Sequence, residues 1–392
     1  MVLFLHSRYR TTGGEERVVE DLIRLVREQL AEPAELLSRS SSELGRAGAA
    51  LGLLRGGLEP DEVARAVRAR GARVVHAHNL QPSLGWRALA AAREAGARVV
   101  LHLHQYRLVC AIGVCFTRGA ECTRCHGRDT LPGVRLNCRG SAAEATAYAA
   151  SLALWQRRMV HQADAFIVPS EFARERLRAL GAPLPWERVH VIAPPVRVLA
   201  EEDPPRAELG SGADAQPRAE AGAGGEPGAG AYALVVSRLA PEKGVDVAID
   251  ACRAAGMPLV IAGDGPQRGE LEARAAGAGA TFAGYVDDAE LARLRGRASI
   301  ALVPSRSAET FGLAAAEAMA AGLPVAASRV GALVELVEQD ALVAPGDADA
   351  LARAIGRLAG DRAVGDRGRE RVRAVCAPSV VADALARVYD GA

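Results

Sequence analysis

Residues 301–322 read ALVPSRSAETFGLAAAEAMAAG, and the way this stretch folds decides the architecture of the chain. The apolar residues 300–303 suit a short buried strand that Pro304 ends, and 305–310 form a polar loop. A helix then starts at Phe311 and Gly312, runs through a series of alanines to about 321, and stops at Gly322 and Pro324. The backbone amides of Phe311, Gly312 and Leu313 have no partner inside such a helix, and the helix dipole favours negative charge there. Strand, loop and helix start together therefore make an anion site. Glu309 stands before the turn and Glu317 within the helix, with seven residues between them. A carboxylate repels phosphate but accepts hydrogen bonds from sugar hydroxyls. Two acids flanking a phosphate cradle suit a ligand with hydroxyls on both sides of a diphosphate, such as a nucleotide sugar. The competing reading makes both glutamates solvated charges on a helix face.

The sequence on either side alternates strand and helix. Upstream lie a strand over 232–236, the loop segments Ser237-Arg238-Leu239 and Pro241-Glu242-Lys243-Gly244, and a helix over 245–255. A strand over 259–262, a weak strand at 281–282 and a helix near 288–297 follow. Downstream come a strand over 324–327, a helix near 332–337, the pair 342–343 and two Ala/Arg helices. The last helix, 379–389, is amphipathic, with Val380, Val381, Leu385 and Val388 on one side. Arg238 and Lys243 fall after a strand and before a helix, where two cations can hold a departing diphosphate.

The first half repeats the pattern. A strand over 1–5, a turn at Gly13-Gly14 and a helix over 15–30 open it. Strands over 73–78 and 98–104 follow, joined by a helix over 84–96, then a strand over 165–169, a helix after Ser170 and a strand over 189–192. Such alternation implies parallel sheets with ligand groups at the carboxyl ends of the strands, where His78 and His104 fall. His76 and His102 are expected to point into the sheet. Between the halves, 201–230 reads EEDPPRAELGSGADAQPRAEAGAGGEPGAG, lacks apolar periodicity and suits a disordered linker. The expected division is a first domain over 1–200, a second over 231–375 and a final helix over 376–392.

Composition narrows the function classes. The 392 residues suffice for two cores, and a formal net charge of +1 gives no support for nucleic-acid binding. The basic residues are almost all arginine; Lys243 is the only lysine. A lysine ammonium is a compact point charge that enters a narrow phosphate site better than a planar guanidinium fork. No stretch approaches the ~20 apolar residues of a membrane span, and the run at 2–5 is too short for a signal-peptide core. A cytoplasmic protein is expected, with peripheral contact at the inner membrane face compatible with the composition.

Five of the seven cysteines crowd into 110–138, as Cys110, Cys115, Cys122, Cys125 and Cys138, and Cys122-Thr-Arg-Cys125 is a C-x-x-C pair. Without an export signal, disulfides are disfavoured, and a knuckle with two further cysteines suits tetrahedral zinc. The favoured ligands are Cys110, Cys122, Cys125 and Cys138, with Cys115 spare. The competing reading is five reduced thiols in a loop. An iron–sulfur cluster suits the spacing less well.

The E-T-F-G-L context of 309–313, with Glu317 eight residues after Glu309, resembles the donor-binding motif of retaining family-4 glycosyltransferases. The resemblance extends over nearly the whole chain except 201–230, and a subset of that family carries a comparable cysteine-bearing insertion. It implies an α/β GT-B fold, two Rossmann-like domains facing across a cleft, with the C-terminal helix crossing back to the first. It also implies that Glu309 and the amides of Phe311, Gly312 and Leu313 contact the donor sugar and phosphates, while Glu317 holds the ribose. Arg238 and Lys243 would stabilise the diphosphate, Gly13 and Gly14 would approach it from across the cleft, and His104 would face the reacting sugar or acceptor. Pro194-Pro195-Val196 departs from the family, which often has Asn-Gly there. The implied activity is transfer of a hexose-type sugar from a nucleotide diphosphate sugar to a glycan or lipid-linked acceptor in envelope or exopolysaccharide assembly. No cofactor is required for transfer, and any zinc would be structural. The rivals are a nucleotide-sugar epimerase or phosphorolytic enzyme of the same fold, and a non-catalytic nucleotide- or carbohydrate-binding protein. A dinucleotide-dependent oxidoreductase is disfavoured, because no G-x-G-x-x-G follows the first strand.

Overall fold

The computed structural model describes residues 1–8, 13–40, 43–200 and 232–391. The expected linker, 201–230, lies outside the described residues. Strands β1 (Val2–Arg8), β2 (Ala34–Ser40), β3 (Val74–Ala77) and β4 (Arg98–His102) come first in the chain. A short antiparallel hairpin, β5 (Phe116–Thr117) with β6 (Ala120–Glu121), stands apart from the sheet, and β7 (Ala165–Val168) and β8 (Val189–Val191) complete it. The sheet is parallel throughout, in the order β2-β1-β3-β4-β7-β8. A second parallel sheet is built from β9 (Tyr232–Val236), β10 (Leu259–Ala262), β11 (Ala280–Gly284), β12 (Ala298–Val303), β13 (Val325–Ser328) and β14 (Leu342–Val343). Its order is β11-β10-β9-β12-β13-β14. The fold is therefore the expected pair of Rossmann-like domains.

Each sheet has one place where the chain winds first to one side and then to the other. That place lies between β1 and β3 in the first sheet and between β9 and β12 in the second. A crevice opens there at the carboxyl ends of the strands, because the helices that follow the two strands pack on opposite faces. The segments 13–14, 237–244 and 304–312, which come after β1, β9 and β12, meet this description.

Both faces of the first sheet are packed, with Leu3, Val75, Val99 and Phe166 on one and Val2, Phe4, Val74 and Val100 on the other. The final helix, Pro378–Asp390, closes the second of these faces. Val381, Leu385, Val388 and Tyr389 are buried there against Phe4, Val18 and Leu22. A fully buried leucine such as Leu385 contributes roughly 1.5–3 kcal/mol, enough to hold a helix that has crossed from the other domain. Arg98 Nε donates to the Val388 carbonyl at 2.9 Å, and Arg73 pairs with Asp390 at 2.8 Å. Val380, expected on the apolar side, is instead 43% exposed, because the buried stripe follows 381, 385, 388 and 389.

Several elements of the first half are absent from the expected series, among them β2 and the helices Gly45–Arg55, Pro60–Arg70 and Ala142–Gln162. β2 is an edge strand whose side chains are mostly half-exposed, so its alternation is weak. The helix Gly45–Arg55 is rich in Ala and Gly and the helix Ala142–Gln162 in Ala, and both show little contrast between their faces.

Candidate functional site

At the carboxyl end of β12 the chain passes through Pro304 and Ser305 to Glu309, and then enters the helix Leu313–Ala320. Gly312 caps that helix at φ +94°, a backbone conformation that glycine adopts without steric cost. The first bond of the helix runs from Ala316 N to the Gly312 carbonyl at 3.0 Å. Among the described residues no acceptor reaches the amides of Phe311, Gly312 or Leu313, so the helix presents free N–H groups with its positive dipole end.

Lys243, at the end of the short turn after β9, reaches into the same place. Its Nζ donates to Glu309 Oε1 at 2.7 Å, and Ser305 Oγ donates to the same oxygen at 2.6 Å. Burial alone would push the Glu309 carboxyl up, but the Lys243 ammonium, the Ser305 hydroxyl and the charge of Arg238 outweigh it and hold the group below its usual range. Glu309 is thus an ionised acceptor, its side chain 16% exposed. Arg238 lies beside it, half-exposed and paired with Glu242.

Glu317 sits one turn deeper, its side chain 11% exposed. It is held by Arg295 of the second domain and by Arg17 Nη1 of the first, the latter at 3.4 Å. Neither arginine is signalled in the sequence, because they lie 22 and 300 positions away from the glutamate they serve. Gly331, in the turn after β13, is a further residue without a local signal. Its φ is +58°, and a Cβ there would stand 2.3 Å from Glu309 N and 2.4 Å from Glu309 O. Ala332 N bonds the Glu309 carbonyl at 2.9 Å, so this turn clamps the backbone of the acid.

The first domain faces the same point. Gly13 begins the helix Gly14–Gln29, donating its N–H to Glu16 Oε2 at 2.9 Å. Gly14 lies against Leu313, where a Cβ would be 3.6 Å from Leu313 Cδ2. The glycine turn and the opposing helix start therefore meet across the cleft. Thr310 ties the two halves: its Oγ1 donates to the His104 carbonyl at 2.9 Å, and its own carbonyl accepts from Ser170 Oγ at 2.6 Å.

His104 belongs to a stack of imidazoles. His76 and His78 alternate along β3, and His102 and His104 alternate at the end of β4, so all four fall on one sheet face. That face is the one covered by the final helix. His76 and His102 are buried there: His76 Nδ1 is 2.7 Å from Tyr389 Oη, and its Nε2 is 3.3 Å from His102 Nδ1. His78 Nδ1 is 2.7 Å from His104 Nε2. Burial, reinforced by the neighbouring imidazoles, lowers the pKa of His76 to about 3 and depresses those of His78 and His102 well below the usual value. His104 is lowered too, by burial, with Glu15 opposing. The stack is neutral near pH 7. The nitrogens of His76, His78 and His102 lie within 4.8 Å of one another, but the rings are inclined by only 7–31°. Lone pairs in nearly parallel ring planes do not converge on one ion, so the cluster is a poor chelate.

The cysteine segment leaves β4 through Gln105 and Tyr106. Cys110, Cys115, Cys122, Cys125 and Cys138 all line one small cavity, and none forms a disulfide. The neighbouring Cys115 thiol lowers the pKa of Cys110, and the Cys110 thiol together with burial raises that of Cys115. Among the described residues no helix is long and apolar enough to cross a membrane.

Comparison with known proteins places these features. Over the whole chain the fold matches sucrose-phosphate synthase from Thermosynechococcus elongatus, with a TM-score of 0.65 at 21% identity and 98% of that chain covered. It also matches Anabaena Alr3699/HepE, a structure in complex with UDP-glucose, with a TM-score of 0.61 at 18% identity over 100% of this chain and 99% of that one. In sequence, a GDP-mannose-dependent alpha-(1-6)-phosphatidylinositol dimannoside mannosyltransferase of Mycobacterium tuberculosis is 45% identical over 109 residues, which are 26% of this chain. The match spans only 28% of that relative's length. Residues 2–195 fit the family model described as glycosyl transferase 4-like domain, and residues 230–361 fit the one described as glycosyl transferases group 1. Matched in both halves, and carrying the two-domain fold that the site requires, the chain belongs to the group 1, 4-like glycosyltransferases.

Proposed function

We propose that this protein transfers a hexosyl unit from a nucleoside diphosphate sugar to a glycan or lipid-linked acceptor, with retention of the anomeric configuration. The observation that carries the reading is the meeting of Lys243, Ser305 and Glu309 at the start of a helix with free amides, directly opposite Gly14. A diphosphate needs the cation and the amides, whereas a sugar needs the ionised acid. Binding of UDP-glucose by the Anabaena neighbour and the GDP-mannose dependence of the mycobacterial relative support a donor of this class.

In this reading the diphosphate lies between Arg238, Lys243 and the amides of Phe311, Gly312 and Leu313, with Gly13 and Gly14 approaching from the first domain. Glu309 accepts from hydroxyls of the donor sugar, and Glu317 accepts from the ribose in place of the long contact to Arg17. The bond between the anomeric carbon and the phosphate oxygen breaks, and its electron pair stays with the departing diphosphate. Lys243, Arg238 and the helix dipole stabilise that charge. The acceptor hydroxyl adds to the same face, and its proton passes to the leaving phosphate oxygen. The neutral ring of His104 faces the reacting sugar without adding charge. No metal or cofactor takes part in the transfer. We place the enzyme in the cytoplasm at the inner membrane face, where exposed Leu51, Leu54 and Leu154 stand beside exposed Arg55, Arg157 and Arg158.

The test is incubation with nucleoside diphosphate hexoses and candidate acceptors, with the product's anomeric configuration read by NMR. An axial donor linkage should reappear axial in the product. Inversion would remove the same-face mechanism, and interconversion of the donor sugar without an acceptor would make the protein an epimerase.

A further inference from the structure

We propose that Cys110, Cys115, Cys122 and Cys125 bind one zinc ion, and that Cys138 lies outside the ligand set. The segment that follows His104 has little regular structure of its own. Between 106 and 140 it contains a three-residue 3-10 turn, two strands of two residues and a helix of five. Such a stretch needs a tether beyond its backbone ladder, and a metal bound by several thiolates supplies one.

The thiols are arranged for it. All five line one cavity of ≈ 10 Å³, the room of a single water-sized species, whose other walls are apolar apart from Thr117. Four of the five form two close-spaced pairs, Cys110-x4-Cys115 and Cys122-x2-Cys125. A backbone bond from Cys122 N to the Cys115 carbonyl, at 2.7 Å, joins the pairs. Cys138 differs, since its sulfur turns to Thr117 Oγ1 at 3.6 Å. The proposed ligand set thus differs from the one expected from spacing in holding Cys115 in place of Cys138. Among the described residues no three of the sulfurs lie within 4.8 Å of one another, so the ion draws them inward by side-chain rotation. Two pairs of thiolates on a compact cavity suit zinc, which takes four sulfur ligands in a tetrahedron.

The ion is structural in this proposal. Tyr106 N bonds the Gly113 carbonyl at 2.9 Å, and Gln105 Nε2 bonds Glu15 Oε2 at 3.2 Å. Fixing the cysteine loop thereby fixes the residues that adjoin His104 at the rim of the cleft.

The experiment is elemental analysis of the full chain, produced with zinc and purified with a thiol-free reductant, together with Cys115→Ser, Cys122→Ser and Cys138→Ser. The wild type and Cys138→Ser should each carry one zinc per chain, while Cys115→Ser and Cys122→Ser should lose more than tenfold. Replacement by cobalt in the wild type should give the intense visible absorption of a tetrahedral thiolate site, a readout that needs no variant to fold. Absence of zinc, or iron in its place, would overturn the proposal. Loss in Cys138→Ser with retention in Cys115→Ser would overturn the ligand set. Donor binding is measured separately, so either result leaves the transfer reading where it stands.

Discussion

The two sheets share one winding and differ in what they place at its reversal point. The first carries imidazoles at its strand ends, and all eight histidines of the chain lie within its half. Four of them, His76, His78, His102 and His104, form a neutral stack on the face closed by a helix that belongs in sequence to the other half. The second sheet has no histidine and places the chain's only lysine against a half-buried glutamate at a helix start. The comparison teaches that topology supplies a crevice, while the side chains at two or three strand ends decide whether it is electrically quiet or charged. A transfer reaction across such a cleft can keep its charged leaving group on one side and its acceptor on the other.

The largest expected effect is acid sensitivity confined to the first half. The folded-state pKa values of His76, His78, His102 and His104 lie below the unfolded value of 6.5. The unfolded chain therefore binds protons that the folded chain refuses. Stability is fully present above pH 6.5 and is lost as pH falls toward the folded values, by up to about 1.4 kcal/mol per pH unit for each histidine. Trp86, Trp155 and Trp186 are the only tryptophans and all lie in the first half, so their fluorescence reports that half alone. The urea midpoint seen by tryptophan should drop sharply between pH 7 and pH 5; a flat profile would show that the stack is not buried as described.

Next in size is Lys243→Ala, which should lower turnover by about 10²–10³, or roughly 3–4 kcal/mol, and leave the tryptophan-reported midpoint unchanged. Lys243→Arg should recover little of that loss, since a planar fork does not fit a site built for a point charge. Full activity in either variant would erase the electrical contrast between the sheets. Gly331→Val should then cost about 1–3 kcal/mol of stability and impair donor binding, because its side chain would collide with the Glu309 backbone. Calorimetric titration with a nucleoside diphosphate sugar checks this. Smallest is Arg17→Ala. It removes a partly exposed bridge between the halves, at 3.4 Å to Glu317 and 3.4 Å to Asp288, and should change stability by less than about 1 kcal/mol. A larger loss would mean that the domains depend on this contact rather than on Thr310 and the returning helix.

Local chemistry made much of this legible from residues alone. The run from 300 to 322 declares a strand, a polar loop and a helix by its prolines, glycines and alanines, and the position of Glu309 follows from that. The strand Tyr232–Val236 and the helix Val245–Ala255 fall where the apolar pattern puts them, so Arg238 and Lys243 were bound to lie at a strand's carboxyl end. Other features carried no local mark. The edge strand β2 has no buried face strong enough to set a period. The arginines that hold Glu317 and the glycine that clamps Glu309 are ordinary residues in their own neighbourhoods.

What the sequence by itself determined is therefore the order of elements and the kind of group each strand end carries, because propensity, capping and alternation act within a few residues. What only the tertiary structure decided is which groups meet. Tyr389 reaches His76 across 313 positions, and Thr310 reaches His104 across 206. Such meetings are set by how helices cover a sheet face and how two sheets oppose, and packing of that kind leaves no trace in any short stretch of chain.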